Sequence, residues 1–224
     1  MDLMLLLTEW GADFWLPAAL AAAVSYLCGC FNGAVIVSKY LLHDDVRSHG
    51  SGNAGLTNFY RTFGGPITVL VILCDVLKAV AAVLVTGLIF RSLILDDSAV
   101  LILSKYWAGL WCLLGHIFPC MFGFKGGKGI LSGGTVAILI DWRLALLVWG
   151  GFLLIVLLTR YVSLGSVVAA AGFPVGTWLF VSRQPVIMVL AIGLGALVIY
   201  MHRGNIARLL QGEERKLSLH KKKT

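Results

Sequence analysis

Four short stretches of this 224-residue chain gather side chains suited to holding an anion. The first is GSGNAGLTNFYR at 50–61. Gly50, Gly52 and Gly55 permit left-handed turns and close approach of backbone to a ligand, and successive free N–H groups in such a turn form an anion nest. Ser51, Asn53, Thr57 and Asn58 add neutral hydrogen-bonding groups, and Arg61 offers a planar fork that matches phosphate. The second is FKGGKG at 124–129, where Gly126, Gly127 and Gly129 surround Lys128, with Lys125 beside them. The apolar run that follows can place a helix N-terminus on this loop, a further anion site. It is no nucleotide P-loop, because Phe122 stands where the first glycine is needed and Gly129 follows the lysine. The third and fourth are RYVSLGS at 160–166, with Ser163, and HRGNIARLL at 202–210, with His202, Asn205 and Arg208.

Each stretch also has a plainer reading. The first could be a flexible turn, the second a basic glycine loop touching headgroups, and the final HKKKT a solvated cationic tail near anionic lipid. His116, just before Phe118-Pro119, reads as a packed, hydrogen-bonded histidine. Of the acids, none lies inside a glycine-rich stretch: Asp2, Glu9, Asp13, Asp96, Asp97 and Asp141 are remote, Asp44 and Asp45 precede the first stretch, and Glu213 and Glu214 follow the last. Asp75 stands three residues before Lys78, a spacing for a structural ion pair within a span. The expected site is rich in cations and amides and poor in carboxylate bases. Lined by membrane, such a site suits a phosphorylated, two-part substrate, one part polar and one part lipid.

The elements that must position these groups lie in lipid. The chain is 59% hydrophobic and 13% charged, with a mean hydropathy of +0.91; soluble domains carry about a quarter charged residues. Long unalternating apolar runs point to helices rather than a barrel. Seven are expected, near 16–42, 66–90, 98–122, 129–141, 143–160, 164–181 and 185–201, the fourth being short for a full span. The fold class is all-α, a single polytopic domain over 1–224 with a basic tail at 217–224. The basic residues set its orientation. Lys39, Arg47, Arg61, Lys125, Lys128, Arg160, Arg203 and the basic residues from 208 onward fall on the C-terminal side, against Arg91, Arg143 and Arg183 on the other. The N-terminus is therefore expected outside and the C-terminus in the cytoplasm, with all four stretches on the cytoplasmic face. The stretch MDLMLLLTEWGADFW carries neither the basic n-region nor the small-residue cleavage site of a signal peptide, so the first span is expected to stay attached and direct insertion. The five cysteines, Cys28, Cys30, Cys74, Cys112 and Cys120, lie in or beside apolar runs and show neither zinc spacing nor a disulfide framework.

GSGNAGLTNFYR, GHIFP…FKGGKG, RYVSLGS and HRGNIARLL, in this order over residues 25 to 216, resemble the bacterial acyl-phosphate:glycerol-3-phosphate acyltransferase family. The resemblance implies a seven-helix plasma-membrane enzyme with its active site facing the cytoplasm. It implies transfer of a fatty acyl group from acyl phosphate, not acyl-CoA, to the 1-hydroxyl of glycerol 3-phosphate. The products are lysophosphatidic acid and phosphate, in the first step of phospholipid synthesis. Matched by motif, it implies catalytic roles for Ser51, Arg61, Lys128, Ser163, His202 and Asn205. Gly50, Gly52, Asn53, Thr57, Asn58, Lys125, Gly126, Gly127 and Gly129 would form the substrate- and phosphate-binding surface. Its partners are glycerol 3-phosphate, acyl phosphate and membrane lipid, with no cofactor, metal or nucleic acid. The histidine-x4-aspartate signature of other acyltransferases is absent. Where the family usually carries Ala-Thr after the glycine–lysine loop this chain has Leu131-Ser132. Cys30 replaces a common serine and Ala79 a usual glycine. The rival reading, a transporter of organic phosphate, would want its site at the bilayer midplane between repeats. Here the polar groups crowd one face.

Overall fold

The computed structural model describes residues 11–94 and 97–217. Asp2, Glu9, Asp96 and the tail residues His220, Lys221, Lys222 and Lys223 lie outside the described residues. The fold is helical: α1 (Gly11–Cys30), α2 (Gly33–Ile36), α3 (Leu56–Thr62), α4 (Thr68–Leu93), α5 (Ser98–Ile117), α6 (Ile130–Ile140), α7 (Trp142–Thr159), α8 (Val162–Phe180), α9 (Pro185–Met201) and α10 (Arg203–Leu210). Five stretches are long and apolar enough to cross a membrane, counting Asp13–Leu41 as one. A sixth is added if α9 and α10, bent by 57°, are taken together. At 11 residues α6 is too short to span alone.

Three departures from the sequence expectation have local causes. The run expected as one helix over 16–42 breaks after Cys30, because the Asn32 side chain accepts from Val35 N and caps a new turn. That turn continues as a widened helical turn over Val37–Leu41. The second half of the first motif is a helix, α3, rather than loop. The last motif also forms a helix, α10, which the apolar pattern hid because its exposed face is charged.

Packing follows the rules of a bilayer interior, where small residues and interhelical hydrogen bonds replace the hydrophobic drive. Helices α1 and α5 touch backbone to backbone. A Cβ on Gly115 would strike the Tyr26 carbonyl oxygen and come within 2.9 Å of Gly29 Cα, and one on Gly29 would strike Cys112 O. Tyr106 Oη pairs with Thr177 Oγ1 at 2.9 Å, Ser25 Oγ with Thr86 Oγ1 at 2.7 Å, and Trp107 Nε1 donates to Ala18 O at 2.9 Å. Phe14, Phe90, Leu103, Leu144, Phe173 and Ile187 fill the core between them. Leu88, Leu157 and Leu158 point outward, 63–77% exposed, as faces for lipid. The close α1–α5 crossing also brings Cys30 Sγ to 3.7 Å from Cys120 Sγ.

Candidate active site

The first motif is folded by Asn58. Buried on α3, its Nδ2 donates to the carbonyls of Val46, His49 and Asn53 at 3.0–3.1 Å, and its Oδ1 accepts from Ser51 N at 3.0 Å. Gly50 and Gly52 adopt φ of 57° and 69°, so the turn is left-handed there. Gly55 is extended instead, with φ −119°; its missing Cβ leaves room for Asn53 Oδ1. Asn58 is thus a structural organiser, while Ser51, Thr57 and Arg61 line a large cavity of about 970 Å³.

The second motif is clamped between the first and helix α5. Gly126 N and Gly127 N donate to Ile117 O and His116 O at 3.0 and 3.1 Å. Gly126 O accepts from Ala54 N and Asn53 Nδ2 at 3.3 and 3.4 Å. Arg47 Nη1 holds the Phe122 and Lys125 carbonyls at 2.6 and 3.2 Å. A Cβ on Gly127 would meet the His116 ring and lie 2.8 Å from Ala54 O. Gly126 and Gly127 are therefore packing glycines, and with Lys125 they lie outside the cavity lining. Gly129, at φ 85°, turns the chain into α6, whose first residues face the cavity.

Opposite the first motif, Lys128 Nζ donates to Asn205 Oδ1. Asn205 Nδ2 and Ser163 Oγ both donate to Glu214 Oε1, at 2.7 and 2.8 Å, and Arg208 Nε donates to Glu214 Oε2 at 2.8 Å. The sequence places no acid inside these stretches, yet one carboxylate, Glu214, joins the cluster as a hydrogen-bond acceptor. Gly212, in the left-handed conformation after α10, turns the chain back so that Glu214 enters the cluster, and Arg61 Nη2 holds Arg215 O at 3.2 Å. Burial pushes the Lys128 ammonium down to about 8, with the nearby Arg208 adding to the effect and Glu214 opposing it. Burial works against the Glu214 carboxylate, but hydrogen bonds from Asn205, Ser163 and Arg208 prevail and lower it. His202 donates from Nδ1 to Val198 O at 2.8 Å, and burial pushes it down to about 4, so it is neutral at physiological pH. Its Nε2 lone pair has no hydrogen-bond partner among the described residues, and His202 lines the cavity.

The structure thus brings Ser51, Arg61, Lys128, Ser163, His202 and Asn205 around one cavity, with Gly50, Gly52, Asn53, Thr57, Asn58 and Gly129. Arg208 and Glu214 join them, as do Asp75 and His116 at the floor. Asp75 and Lys78 do form the ion pair their spacing suggests, at 2.7 Å. An apolar recess lined by Leu113, Gly133, Gly134, Val148 and Phe173 adjoins the cavity, and Trp149 and Phe152 line both.

The glycerol-3-phosphate acyltransferase family model matches residues 19–212. A glycerol-3-phosphate acyltransferase of Clostridioides difficile (strain 630) is 38% identical over 202 residues, covering 90% of this chain and 96% of the relative. One of Thermoanaerobacter sp. (strain X514) is 36% identical over 200 residues, covering 89% and 96%. Among solved structures, PlsY, an integral membrane glycerol 3-phosphate acyltransferase, superposes in its glycerol 3-phosphate form with a TM-score of 0.76 at 38% identity. That match covers 90% of this chain and 96% of PlsY. The lysophosphatidic acid form gives 0.73 at 37%, covering 90% and 95%. A shared fold, a match over nearly the full length and the gathering of all four motifs around one cavity lead to the same result: this chain belongs to the glycerol-3-phosphate acyltransferase family of integral membrane enzymes.

Proposed function

We propose that the enzyme uses acyl phosphate as donor and acylates the 1-hydroxyl of glycerol 3-phosphate, releasing lysophosphatidic acid and inorganic phosphate. The observation that carries this reading is the set of cations gathered on one cavity: Arg61, Lys128 and Arg208 line it together with the Ser51–Gly52 turn and the first residues of α6. Such cations and turn amides suit two phosphorylated substrates. The apolar recess beside Trp149 offers the acyl chain a dry bed. The cations neutralise the phosphates and align the hydroxyl with the acyl carbon.

The hydroxyl proton goes to a phosphate oxygen in this scheme. At about 4, His202 is a weaker base near neutrality than a phosphate monoester whose second pKa is about 6. His202 Nε2 instead accepts a hydrogen bond from a substrate hydroxyl and orients it. The membrane is the bacterial plasma membrane, crossed seven times in this reading, with the α6 segment completing one crossing. The cavity faces the cytoplasm.

Purified protein in detergent, supplied with acyl phosphate and glycerol 3-phosphate, should form lysophosphatidic acid and release one inorganic phosphate per turnover. Transfer from acyl-CoA at an equal or greater rate would overturn the donor assignment.

A further inference from the structure

At the cavity floor, three buried ionisable side chains form a network that includes His116 of the GHIFP stretch and takes in none of the side chains assigned a role above. Asp75, Lys78 and His116 are each at most 6% exposed. Charge held at such depth in a bundle is expensive unless paired, and commonly marks function. The Lys78 ammonium has three protons and three acceptors. Asp75 Oδ1 lies at 2.7 Å, Phe31 O at 3.1 Å and His116 Nδ1 at 2.7 Å. The first two can only accept, so the third proton points at His116 Nδ1. Beside the Asp75 carboxylate, at 2.7 Å, the lysine is the group that keeps the charge. His116 Nδ1 is therefore bare, and the one proton of its neutral ring sits on Nε2.

That Nε2–H has no hydrogen-bond partner among the described residues. It stands where a Cβ on Gly127 would collide with it, and His116 itself lines the cavity that Lys128 lines. We propose that His116 is a further catalytic residue, a neutral imidazole whose Nε2–H donates to the acyl carbonyl oxygen as it becomes an oxyanion. Lys78 is a positioning residue that fixes the tautomer. The inference rests on the acyl-phosphate reading above. The glycerol oxygen attacks the acyl carbon, and the carbonyl π pair moves onto oxygen, where Nε2–H meets it. The intermediate collapses with cleavage of the carbon–oxygen bond to phosphorus. Phosphate leaves with that electron pair, and the hydroxyl proton ends on a phosphate oxygen. A neutral donor does not surrender its proton to the oxyanion, so the ring is ready for the next cycle. His202 on the same cavity holds the opposite tautomer, with Nδ1–H tied to Val198 O. One imidazole gives a hydrogen bond and the other receives one.

Two measurements test this. The first is ¹⁵N NMR of histidine-labelled protein in detergent at neutral pH, with His116 assigned by its absence in His116→Gln. A bare Nδ1 and a protonated Nε2 are expected; an Nδ1–H ring or an imidazolium overturns the proposal, and this readout requires no turnover. The second is kinetic. His116→Leu should lower kcat by about a hundredfold, the usual loss for one oxyanion donor, with KM changed little. His116→Gln, whose amide N–H can reach the same point, should recover most of that loss. A KM effect without a kcat effect, or both variants at wild-type turnover, overturns the donor role. If wild-type enzyme transfers nothing from acyl phosphate, the donor-substrate reading fails instead, and the NMR result stands apart from it.

Discussion

Glu214 and Lys128 carry the sharpest consequences at the scale of single residues. From sequence, Asp44, Asp45, Glu213 and Glu214 flank the motifs and are not expected to serve as a general base. The structure separates them. Asp44 pairs with His49 and Asp45 with Arg47, each at 2.8 Å, within the first motif's approach. Glu214 instead orders Ser163, Asn205 and Arg208 together. Hydrogen bonds to a charged group contribute about 1.5–3 kcal/mol. Glu214→Gln should therefore cut turnover at least tenfold, while Glu213→Gln stays within a few-fold; parallel assays of the two variants decide it. Lys128 has a pH signature. Its buried ammonium titrates at about 8, below the free lysine value, so the charge that attracts phosphate is present below that pH and lost as pH rises through it. kcat/KM, which reports the free enzyme, should fall on the alkaline side near 8. Lys128→Arg, which stays charged, should abolish that limb even if it turns over more slowly. A limb unchanged in Lys128→Arg would assign it to another group.

Between elements, the decisive contact is the seam joining the first motif, the glycine–lysine loop and α5. Ala54, Asn53, Gly126, Gly127 and His116 meet there with no room for a methyl group. Gly127→Ala should displace the loop that leads to Lys128 and lower turnover by at least tenfold, since ångström-scale misplacement is costly. A melting temperature and rate both equal to wild type would show that the seam is loose. The long apolar helices from 66–90 onward were legible in the sequence to within about five residues, because apolar runs bounded by charge leave little choice in lipid, whereas the one expected over 16–42 breaks after Cys30. The gathering of the stretches that carry Ser51, Lys128, Ser163 and Asn205 was legible too, from their unusual composition, while the choice of those residues came from the resemblance of their motifs. What escaped was set by geometry that no window of residues contains. The break at Asn32 depends on a side chain preferring Val35 N and Ala54 O. Glu214 reaches the site only because Gly212 reverses the chain. His116 read as packing, and it does pack; its second side shows only once Lys78 is placed beside it.

For the whole molecule, the orientation rests on the lopsided basic residues and can be checked directly. A reporter fused after Thr224 should be active in the cytoplasm only. Activity on the outer side would invert the bundle and place the cavity where a cytosolic substrate cannot reach it.

The outward leucines of α4 and α7, together with the apolar recess beside the polar cavity, have a consequence for how the enzyme's kinetics must be expressed. In the function proposed above, one substrate arrives from solution and the other from within the lipid or micelle. The acyl donor's availability is therefore a surface quantity, its mole fraction among amphiphiles, and not its amount per litre. Adding inert detergent at fixed total donor should slow the reaction as though donor had been removed. The same addition should leave the dependence on glycerol 3-phosphate concentration in place. An affinity for the donor quoted without the amphiphile content would describe the vessel as much as the protein.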